Sequence, residues 1–392
     1  MGGTLSRAGG ERPYRVLFVF GWLVVGGEET EVRLLARHMD RHKFDLEVVA
    51  CFYKPNMPAQ AREQLRALGV VIDETPYSLS FDDTVAYLAS KMPHYDLIVA
   101  CQGVPDVYPA LERIHPQLRP PLIEHGGLVS EASSGPKHLT NRYIGVCRSI
   151  RDAAAQNMPG RERHAIELPS MVDLGEFDPS HRASVRAELQ APEGVPLVGW
   201  AGRLDRKKRV EDFIRAAAAI VRDTLPGARF AVIGGPDAFM PEYATELVTL
   251  ASELGLGDVV SFLGDRDDVP RLLSGLDVFV WLSRDEGMPH VISEAGAACL
   301  PVVATRDNGS EQQITHAVTG LFVPHESPSE VATAITRLLQ DPSLAHKLGH
   351  ALREKVEREY SSRALVPRWE ALFEEVIEER RKQPSYNIEH AG

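Results

Sequence analysis

The sequence predicts an α/β protein in which two doubly wound parallel sheets form two domains that face each other across a cleft. Three observations lead to this prediction. Strand-like apolar runs alternate with helix-like segments. The runs are continuous in valine, isoleucine and leucine, as in strands that are covered on both faces. The pattern also restarts after a Pro-, Asp- and Gly-rich segment at 168–196, and such alternation is typical of parallel strands joined by crossover helices.

The first half supplies the elements of an amino-terminal domain. We expect a first strand at 14–20, a helix at 28–40 with apolar residues at helical spacing, and a second strand at 44–50. Strands at 95–100 and 120–125 follow, with helical segments between them.

The second half repeats the pattern and adds a final helix. Strands are expected at 195–202, 228–235, 259–264, 277–283, 301–305 and 320–324, and helices at 210–224, 289–298 and 328–340, the last capped by Ser327. A helix at about 362–382 is free to cross back to the first domain. We therefore assign 1–175 with 362–392 to the first domain and 176–361 to the second, with a hinge near 172–192. Ligands of doubly wound sheets bind at the carboxyl ends of the strands, which here face the cleft.

The composition is that of a globular protein and argues against a general nucleic-acid binder. Of the 392 residues, 44% are hydrophobic and 25% are charged, which is ordinary, and the length suggests two domains. There are 43 Lys and Arg against 55 Asp and Glu, a net charge of −12. A nucleic-acid binder usually shows a basic face instead.

We expect a cytoplasmic protein. Its cysteines form no CxxC pair and are expected to be buried free thiols in a reducing compartment; they are Cys51, Cys101, Cys147 and Cys299. The longest apolar run, 16–27, is shorter than the roughly 20 residues that span a bilayer. Peripheral contact of the first domain with the inner face of a membrane stays open, because the charge of this half is close to balanced. The start, MGGTLS, fits the N-myristoylation pattern, but a disordered leader is the favoured interpretation.

Two glutamates stand at the two ends of one turn and helix. Glu286 follows the strand at 277–283, and Glu294 lies about a turn and a half into the helix at 289–298, where Pro289 suits the first position. The helix start offers free amides and partial positive charge to an anion, and carboxylates accept hydrogen bonds from paired hydroxyls. A nucleoside diphosphate sugar matches this arrangement, although the spacing alone equally allows two ordinary surface carboxylates.

A cationic loop strengthens the case for a phosphate ligand. Gly202 permits a tight turn after the strand at 195–202, and a dense group of cations follows: Arg203, Arg206, Lys207, Lys208 and Arg209. Some of these charges are expected to neutralise a phosphate, whereas a solvated charge run is the alternative.

Weaker signals mark the first domain and one further loop. Gly26 and Gly27 permit close approach of a ligand to the start of the first helix, or simply form a tight turn. His125 ends a strand on the cleft side, where it either binds a sugar hydroxyl or packs as an ordinary buried histidine. The segment at 264–270 contains two aspartates at metal-ligand spacing, but Asp267-Asp268 favours helix capping over a metal site.

With these segments in place, the chain resembles the retaining GT-B-fold glycosyltransferases of family 4, the glycosyl transferases group 1 set, from about Arg15 to Tyr360. EGMPHVISEAGAACLPVVAT is similar to the E-x7-E signature of that family, and AGRLDRKKRVEDFIRAA to its phosphate-binding segment. VGGEETEV resembles its GGxE loop, LPSMVDLGEFDP its interdomain segment, and NGSEQQITHAVTGLFVP the region after the signature. Ser170-Met171, His290 and Gly296 depart from the family pattern, which leaves sugar and acceptor preference open.

The resemblance implies a role for each matched position. The catalytic group would be Glu286, His125, Arg203 and Lys208, and the other substrate contacts Gly26, Gly27, Gly202, Arg266, Gly287, Met288, His290, Val291 and Glu294. Glu286 would hold the hydroxyls of the donor sugar and Glu294 the ribose. Arg206, Lys207 and Arg209 would be bystanders.

The implied fold is GT-B, with two Rossmann-like domains. The implied activity is that of a hexosyltransferase, which moves a sugar from a nucleoside diphosphate sugar to a hydroxyl of a saccharide, lipid-linked or small-molecule acceptor, with retention at the anomeric carbon. No metal and no cofactor are expected, since the nucleotide-sugar is a substrate, and no nucleic-acid partner is expected. A nucleotide-sugar epimerase, a phosphorylase and a non-catalytic nucleotide-sugar sensor remain as alternatives. A dehydrogenase lacks its GxGxxG fingerprint.

Overall fold

The computed structural model of the chain describes residues 12–53, 55, 57–102 and 105–383. Its first sheet contains β1 Tyr14–Phe20, β2 Phe44–Ala50, β3 Val71–Asp73, β4 Leu97–Cys101, β5 Leu122–Gly126, β6 Thr140–Gly145 and β7 Ala165–Glu167. These strands are parallel and lie in the order β3-β2-β1-β4-β5-β6-β7.

The second sheet follows the same plan. It contains β8 Leu197–Ala201, β9 Arg229–Ile233, β10 Val260–Phe262, β11 Val278–Trp281, β12 Val302–Thr305 and β13 Leu321–Val323. The order is β10-β9-β8-β11-β12-β13, again with parallel pairing throughout. In both sheets the order reverses beside the first strand, and such a switch point opens a crevice at the carboxyl ends of the strands.

Helices connect the strands. In the first half they are α1 Gly27–His38, α2 Gln60–Ala67, α3 Phe81–Lys91, α4 Val107–Arg113, α5 Val129–Ser133 and α6 Arg148–Gln156. In the second half they are α7 Arg182–Glu188, α8 Val210–Asp223, α9 Glu242–Glu253, α10 Val269–Leu273, α11 His290–Ala297, α12 Asn308–Gln313, α13 Pro328–Gln340, α14 Pro342–Glu359 and α15 Ser362–Arg381. Short 3₁₀ turns occur at Thr75–Ser78, Met92–His94, Glu162–His164, Leu174–Glu176, Pro179–His181 and Arg206–Lys208.

The central strand β1 shows why its sequence is an unbroken apolar run. Val16 and Phe18 enter the core on one face of the first sheet, whereas Leu17 and Val19 enter a separate core on the other face. Because side chains alternate along a strand, a strand that is covered on both sides needs apolar residues at every position.

The final helix α15 returns to the first domain, as predicted. Its Trp369 and Phe373 are buried in the same core as β1, and the Phe373 ring lies 6.3 Å from that of Phe18. The two connections between the sheets run side by side, because Val172 and Ser361 form a short parallel bridge. The chain therefore crosses between the domains twice at one place, a geometry that suits a hinge.

Three strands of the first sheet are absent from the sequence prediction. β3 and β7 have three residues each, and β6 carries Asn141 and Arg142 in its first half. Arg142 is nevertheless buried, because its guanidinium binds Glu375 and Glu379 of α15. That partnership joins residues more than 200 positions apart, and the strand's own sequence gives no sign of it.

Two local expectations are wrong. Ser327 stands at the cap position of α13, but its hydroxyl donates to the carbonyl of His325 and caps no helix amide. Cys299 is exposed, whereas the other three cysteines are buried; all four are free thiols.

No helix in the described part of the chain is long and apolar enough to cross a membrane. The leader at 1–11 and the tail at 384–392 lie outside the described residues.

Candidate active site

A cavity of about 630 Å³ lies between the carboxyl ends of the two sheets. Both domains line it, and most of the predicted site residues border it: Gly26, Gly27, Gly202, Arg203, Lys208, Arg266, Glu286, Met288, His290, Val291 and Glu294. Gly287 and His125 do not. A cavity of this size is within the range that holds a small-molecule ligand.

Glu286 and Lys208 form an ion pair at the floor of the cavity. Lys208 Nζ binds Glu286 Oε1 directly, and the Ser283 hydroxyl donates to the same oxygen at 2.7 Å. The lysine ammonium also lies 5.0 Å from the centre of the Trp281 ring, on which it rests. Asp307 fixes the backbone, because its carboxylate accepts the Glu286 N–H at 2.6 Å.

Arg203 is placed at the rim of the cavity by the turn that follows β8. Gly202 has φ +154, and a Cβ there would meet the ring atoms of Trp281 at 3.1 Å and of Trp200 at 3.2 Å. A side chain at this position would therefore be both strained and crowded. The Arg203 guanidinium is 41% exposed and donates to Asp237 at 3.0 Å, so that it remains within reach of a ligand.

Glu294 faces the cavity from α11 and has an altered acidity. Desolvation in the cleft raises the pKa of its carboxyl to about 7, Arg33 acts in the opposite sense, and Glu176 adds to the rise. Arg33 is itself held by Glu176 at 2.6 Å. Near neutral pH the group is therefore divided between its acid and carboxylate forms.

His290 joins the two domains rather than only bordering the ligand space. Its Nδ1 lies 3.1 Å from the Met171 carbonyl, and since a carbonyl can only accept, this nitrogen carries the proton. Nε2 lies 3.7 Å from Glu31 Oε2, which accepts the Met171 N–H at 3.1 Å. Burial lowers the pKa of His290 to about 4 and raises that of Glu31 to about 8. At neutral pH this linkage between α1, the hinge and α11 is mostly uncharged.

His125 is buried behind the cavity wall, not exposed on it. Only 4% of the residue is accessible; its ring packs edge-on against Trp369, and Nδ1 lies 3.4 Å from Glu28 Oε1. Burial, with a further contribution from His290, lowers its pKa to about 3, so that the imidazole is neutral. Nε2 has no hydrogen-bond partner among the described residues.

Gly287 makes a domain contact where the sequence predicted a substrate contact. A Cβ at this position would lie 2.0 Å from the Gly127 carbonyl oxygen and 3.0 Å from Ile150 Cδ1, both in the first domain. Only glycine allows the two backbones to approach this closely. Met288 and Val291 border the cavity beside it.

The remaining predicted polar groups have local partners. Arg266 binds Asp268 at 2.7 Å and Glu188 at 3.1 Å. Asp268 stands before α10, but its carboxylate binds Arg266 and Arg271 and caps no amide, so the predicted capping role is wrong. Within the described part of the chain no group of three or more His, Cys, Asp or Glu side chains is placed to hold a metal.

The cations named as bystanders lie away from the cavity. Arg206 pairs with Glu246 on the exposed surface, and Arg209 pairs with Glu211 and Asp212 of α8. Neither borders the cavity, nor does Lys207.

Several residues of the site escaped the sequence interpretation. The Arg33–Glu176 pair borders the cavity, and three glutamates of α1 lie beside it: Glu28, Glu29 and Glu31. The run GGEETE places three glutamates close together directly after the glycine pair. Nothing local indicates that Arg33 meets a hinge carboxylate 143 positions later.

Comparison with known families places the cavity in context. Residues 181–355 match the family model of the glycosyl transferases group 1, and this segment contains both carboxylates and both cations of the site: Glu286, Glu294, Arg203 and Lys208. The second domain is therefore similar to the glycosyl transferases group 1 family. The resemblance predicted from the sequence is thereby confirmed for this segment.

Two curated proteins resemble the chain over segments of different length. A D-inositol 3-phosphate glycosyltransferase from Saccharomonospora viridis is 35% identical over 193 residues, which are 48% of this chain and 44% of that protein. An N-acetyl-alpha-D-glucosaminyl L-malate synthase from Bacillus anthracis is 24% identical over 318 residues, 78% of this chain and 81% of that protein. The chain thus spans less than half the length of the first relative.

Solved structures extend the likeness to both domains. The Anabaena protein HepE, crystallised with UDP and glucose, matches with a TM-score of 0.78 at 20% identity, over 92% of this chain and 100% of that one. Such low identity establishes the fold alone. The fold is GT-B, and the predicted fold class is confirmed.

Proposed function

We propose that the protein transfers a hexosyl group from a nucleoside diphosphate sugar to an acceptor hydroxyl, with retention at the anomeric carbon and without a metal ion. One observation carries this proposal. Two cations, two carboxylates and a helix start border a single cleft between the domains; they are Arg203, Lys208, Glu286, Glu294 and the first turn of α11. This set matches a ligand that has a diphosphate in the middle and hydroxyl-rich rings at both ends.

The cations and the helix start would bind the diphosphate. The first turn of α11 leaves backbone N–H groups without partners inside the helix, and these point toward an anion. When the bond to the sugar breaks, negative charge grows on the diphosphate. Hydrogen-bond donors and cations that are already in place therefore stabilise the transition state more than the bound substrate. Arg203 and Lys208 would then supply the charge that a divalent cation supplies in other transferases.

The carboxylates would hold the rings. Glu286 lies beside Lys208, and its oxygens would accept hydrogen bonds from the hydroxyls of the donor sugar. Glu294 lies about one turn into α11 and would accept from the ribose hydroxyls, as an acidic residue does in dinucleotide-binding folds. Retention would follow from attack of the acceptor on the face that the diphosphate leaves.

A donor panel tests the proposal directly. Thermal unfolding is measured with UDP-, GDP-, ADP- and TDP-sugars, and the matching donor should stabilise the protein by about 2.7 kcal/mol at 100 times its dissociation constant. Turnover with that donor should persist in EDTA, and NMR of the product should show the anomeric configuration of the donor. No stabilisation by any nucleotide, or a product of inverted configuration, would contradict the proposal.

Lys208→Ala then tests the phosphate role. The loss of one charged donor at the leaving group should lower turnover by at least about 100-fold, or roughly 2.7 kcal/mol. The folded variant is compared with Lys207→Ala, which removes an adjacent charge outside the cavity. Equal activity of the two variants would reject the assignment.

A further inference from the structure

Polar side chains of the first domain border the cavity near Glu294. Arg33 of α1 and Gln60 of α2 line the cavity together with Glu294 of α11, and the same two side chains line a small side pocket between α1 and α2. Gln60 Nε2 donates to the Arg266 carbonyl at 3.2 Å, so α2 contacts the loop after β10 directly across the cleft. A ligand group beside Glu294 would therefore meet side chains of both domains.

The Glu294 carboxylate has no hydrogen-bond partner among the residues that the structure describes. The charges that act on it are those of Arg33 and Glu176, and both act through space rather than through a hydrogen bond. Glu294 is partly exposed and borders the cavity, so a ligand can reach it. Because an ionised carboxylate only accepts hydrogen bonds, this group needs a ligand that supplies donors.

Arg33 offers the complementary chemistry. Its guanidinium has five N–H donors and no acceptor. Glu176 accepts from Nη1 at 2.6 Å and from Nη2 at 3.3 Å, which fixes the plane of the guanidinium and leaves its other N–H groups available. The side chain is 16% exposed and borders the cavity. Glu176 follows the bridge between Val172 and Ser361 closely, so Arg33 is held by the segment about which the domains would turn.

We propose that Arg33 completes the nucleoside end of the site by donating hydrogen bonds to the same ribose hydroxyls that donate to Glu294. The inference rests on the proposed function and adds to it a specificity residue from the first domain. A hydroxyl both donates and accepts, so a carboxylate satisfies its proton whereas its oxygen needs an N–H donor. A ribose between Glu294 and Arg33 finds both partners, but a deoxyribose leaves an acceptor and a donor of the protein unpaired.

Arg37 provides a matched comparison for Arg33. It lies one turn further along α1, and its Nη1 binds the same oxygen of Glu176. Arg37 is more exposed, at 38%, and approaches Asp173 at 3.5 Å; it is not among the charges that act on Glu294. Loosening of the ion pairs of Glu176 would follow from the loss of either arginine. Loss of a ribose contact would follow only from the loss of Arg33.

The test uses nucleotides that differ in a single ribose hydroxyl. Calorimetry of the full chain measures the dissociation constants of the nucleoside diphosphate that the donor panel identifies and of its 2′-deoxy and 3′-deoxy forms. The ribonucleotide should bind at least about tenfold more tightly than one or both deoxy forms, because hydrogen bonds to two charged groups are lost with the hydroxyl. Equal binding of all three forms would overturn the inference.

Variants then assign the preference to Arg33. Arg33→Met keeps an apolar stem without the donors, so it should weaken binding of the ribonucleotide about tenfold and that of the disfavoured deoxy form less than about twofold. Arg33→Lys, which keeps a charged donor, should retain part of the preference, and it carries the comparison if Arg33→Met does not fold. Arg37→Met should retain all of the preference.

Two results with the variants would overturn the inference. One is an equal loss of affinity for the ribonucleotide and the deoxynucleotides in the Arg33 variants, and the other is the same loss of preference in Arg37→Met. A nucleoside diphosphate that binds without a preference for ribose removes this inference alone. Failure of every nucleotide to bind removes the proposed function with it.

Discussion

Because Lys208 forms an ion pair with Glu286, we predict that removing the charge of Glu286 strengthens the binding of a nucleoside diphosphate. In the structure, the ammonium that would bind phosphate is paired with a carboxylate. A diphosphate must therefore compete with Glu286 for Lys208. Glu286→Gln keeps the shape of the side chain and its bond with Ser283 but removes the competing charge, so a nucleoside diphosphate without its sugar should bind more tightly.

The size of the effect follows from the burial of the pair. Lys208 is 11% and Glu286 18% exposed, so the small values of exposed surface pairs do not apply. Hydrogen bonds to charged groups contribute about 1.5–3 kcal/mol, and the repulsion between a carboxylate and a phosphate about 6 Å apart at an effective dielectric of about 20 is roughly 2.8 kcal/mol. Gln still accepts part of the bond. We expect a gain of about 1.4 kcal/mol, which is tenfold in the dissociation constant.

Turnover should move in the opposite direction. Glu286 would hold the donor sugar, so the same variant should lose about 100-fold or more in turnover. Calorimetry with the nucleoside diphosphate and initial rates with the complete donor separate the two effects. Glu246→Gln is the matched control, because Glu246 of α9 forms an exposed ion pair at 2.7 Å with Arg206, which lies on the same loop as Lys208. Both quantities should stay unchanged in this variant. Unchanged or weaker nucleotide binding in Glu286→Gln would refute the reasoning.

Three further predictions concern titration and packing. The pKa of Glu294 is about 7, so the dissociation constant of the donor should fall about tenfold from pH 6 to pH 8 if binding needs the ionised carboxylate. Calorimetry of Glu294→Gln should show no such dependence on pH, and an equal dependence in both proteins would contradict the assignment. Gly287→Ala forces a methyl group against the Gly127 carbonyl and should cost about 1–3 kcal/mol of unfolding free energy, whereas Gly227→Ala, where nothing lies within 4 Å, should cost far less in the same denaturant titration. Burial raises the pKa of Glu31 from 4.5 to about 8, so its contribution to stability is complete below pH 4.5 and is lost as the pH rises through 8. The melting temperature of Glu31→Gln, relative to that of the native protein, should therefore be higher at pH 9 than at pH 5. The same difference in melting temperature at both pH values would contradict the raised pKa.

The sequence could predict the long strands because each encodes its own environment. A run such as that of β1 is apolar at every position, and this pattern is explained only by cover on both faces. The same argument fails for β6, whose buried Arg142 is balanced by Glu375 and Glu379 of α15. Local sequence reports local preferences, and a buried charge depends on a partner that the local sequence does not contain.

The site was predictable to the extent that its residues follow strand ends. Gly202 directly follows β8, and Lys208 and Glu286 lie in the loops after β8 and β11. The carboxyl ends of parallel strands meet at one edge of a sheet. The role of Gly287 was not predictable, because its environment is the Gly127 carbonyl of the other domain. His125 also ends a strand, yet it lies behind the cavity because α15 covers it with Trp369, a contact that only the return of the final helix creates.

Both cations of the cavity already have carboxylate partners, and this pairing affects which anions the cavity would bind. Arg203 is bound by Asp237 and Lys208 by Glu286, so neither offers an uncompensated charge to a passing anion. Under the proposed function, anion binding would be an exchange of partners, in which the incoming group must bind the cation more strongly than the carboxylate that already pairs with it. A monovalent anion gains little from such an exchange. A diphosphate that reached both cations and the start of α11 at once would replace two separate contacts with one ligand and so meet the requirement. The same carboxylates would then be released toward the hydroxyls of the ligand, so that binding of the diphosphate would prepare the site for the rings on either side.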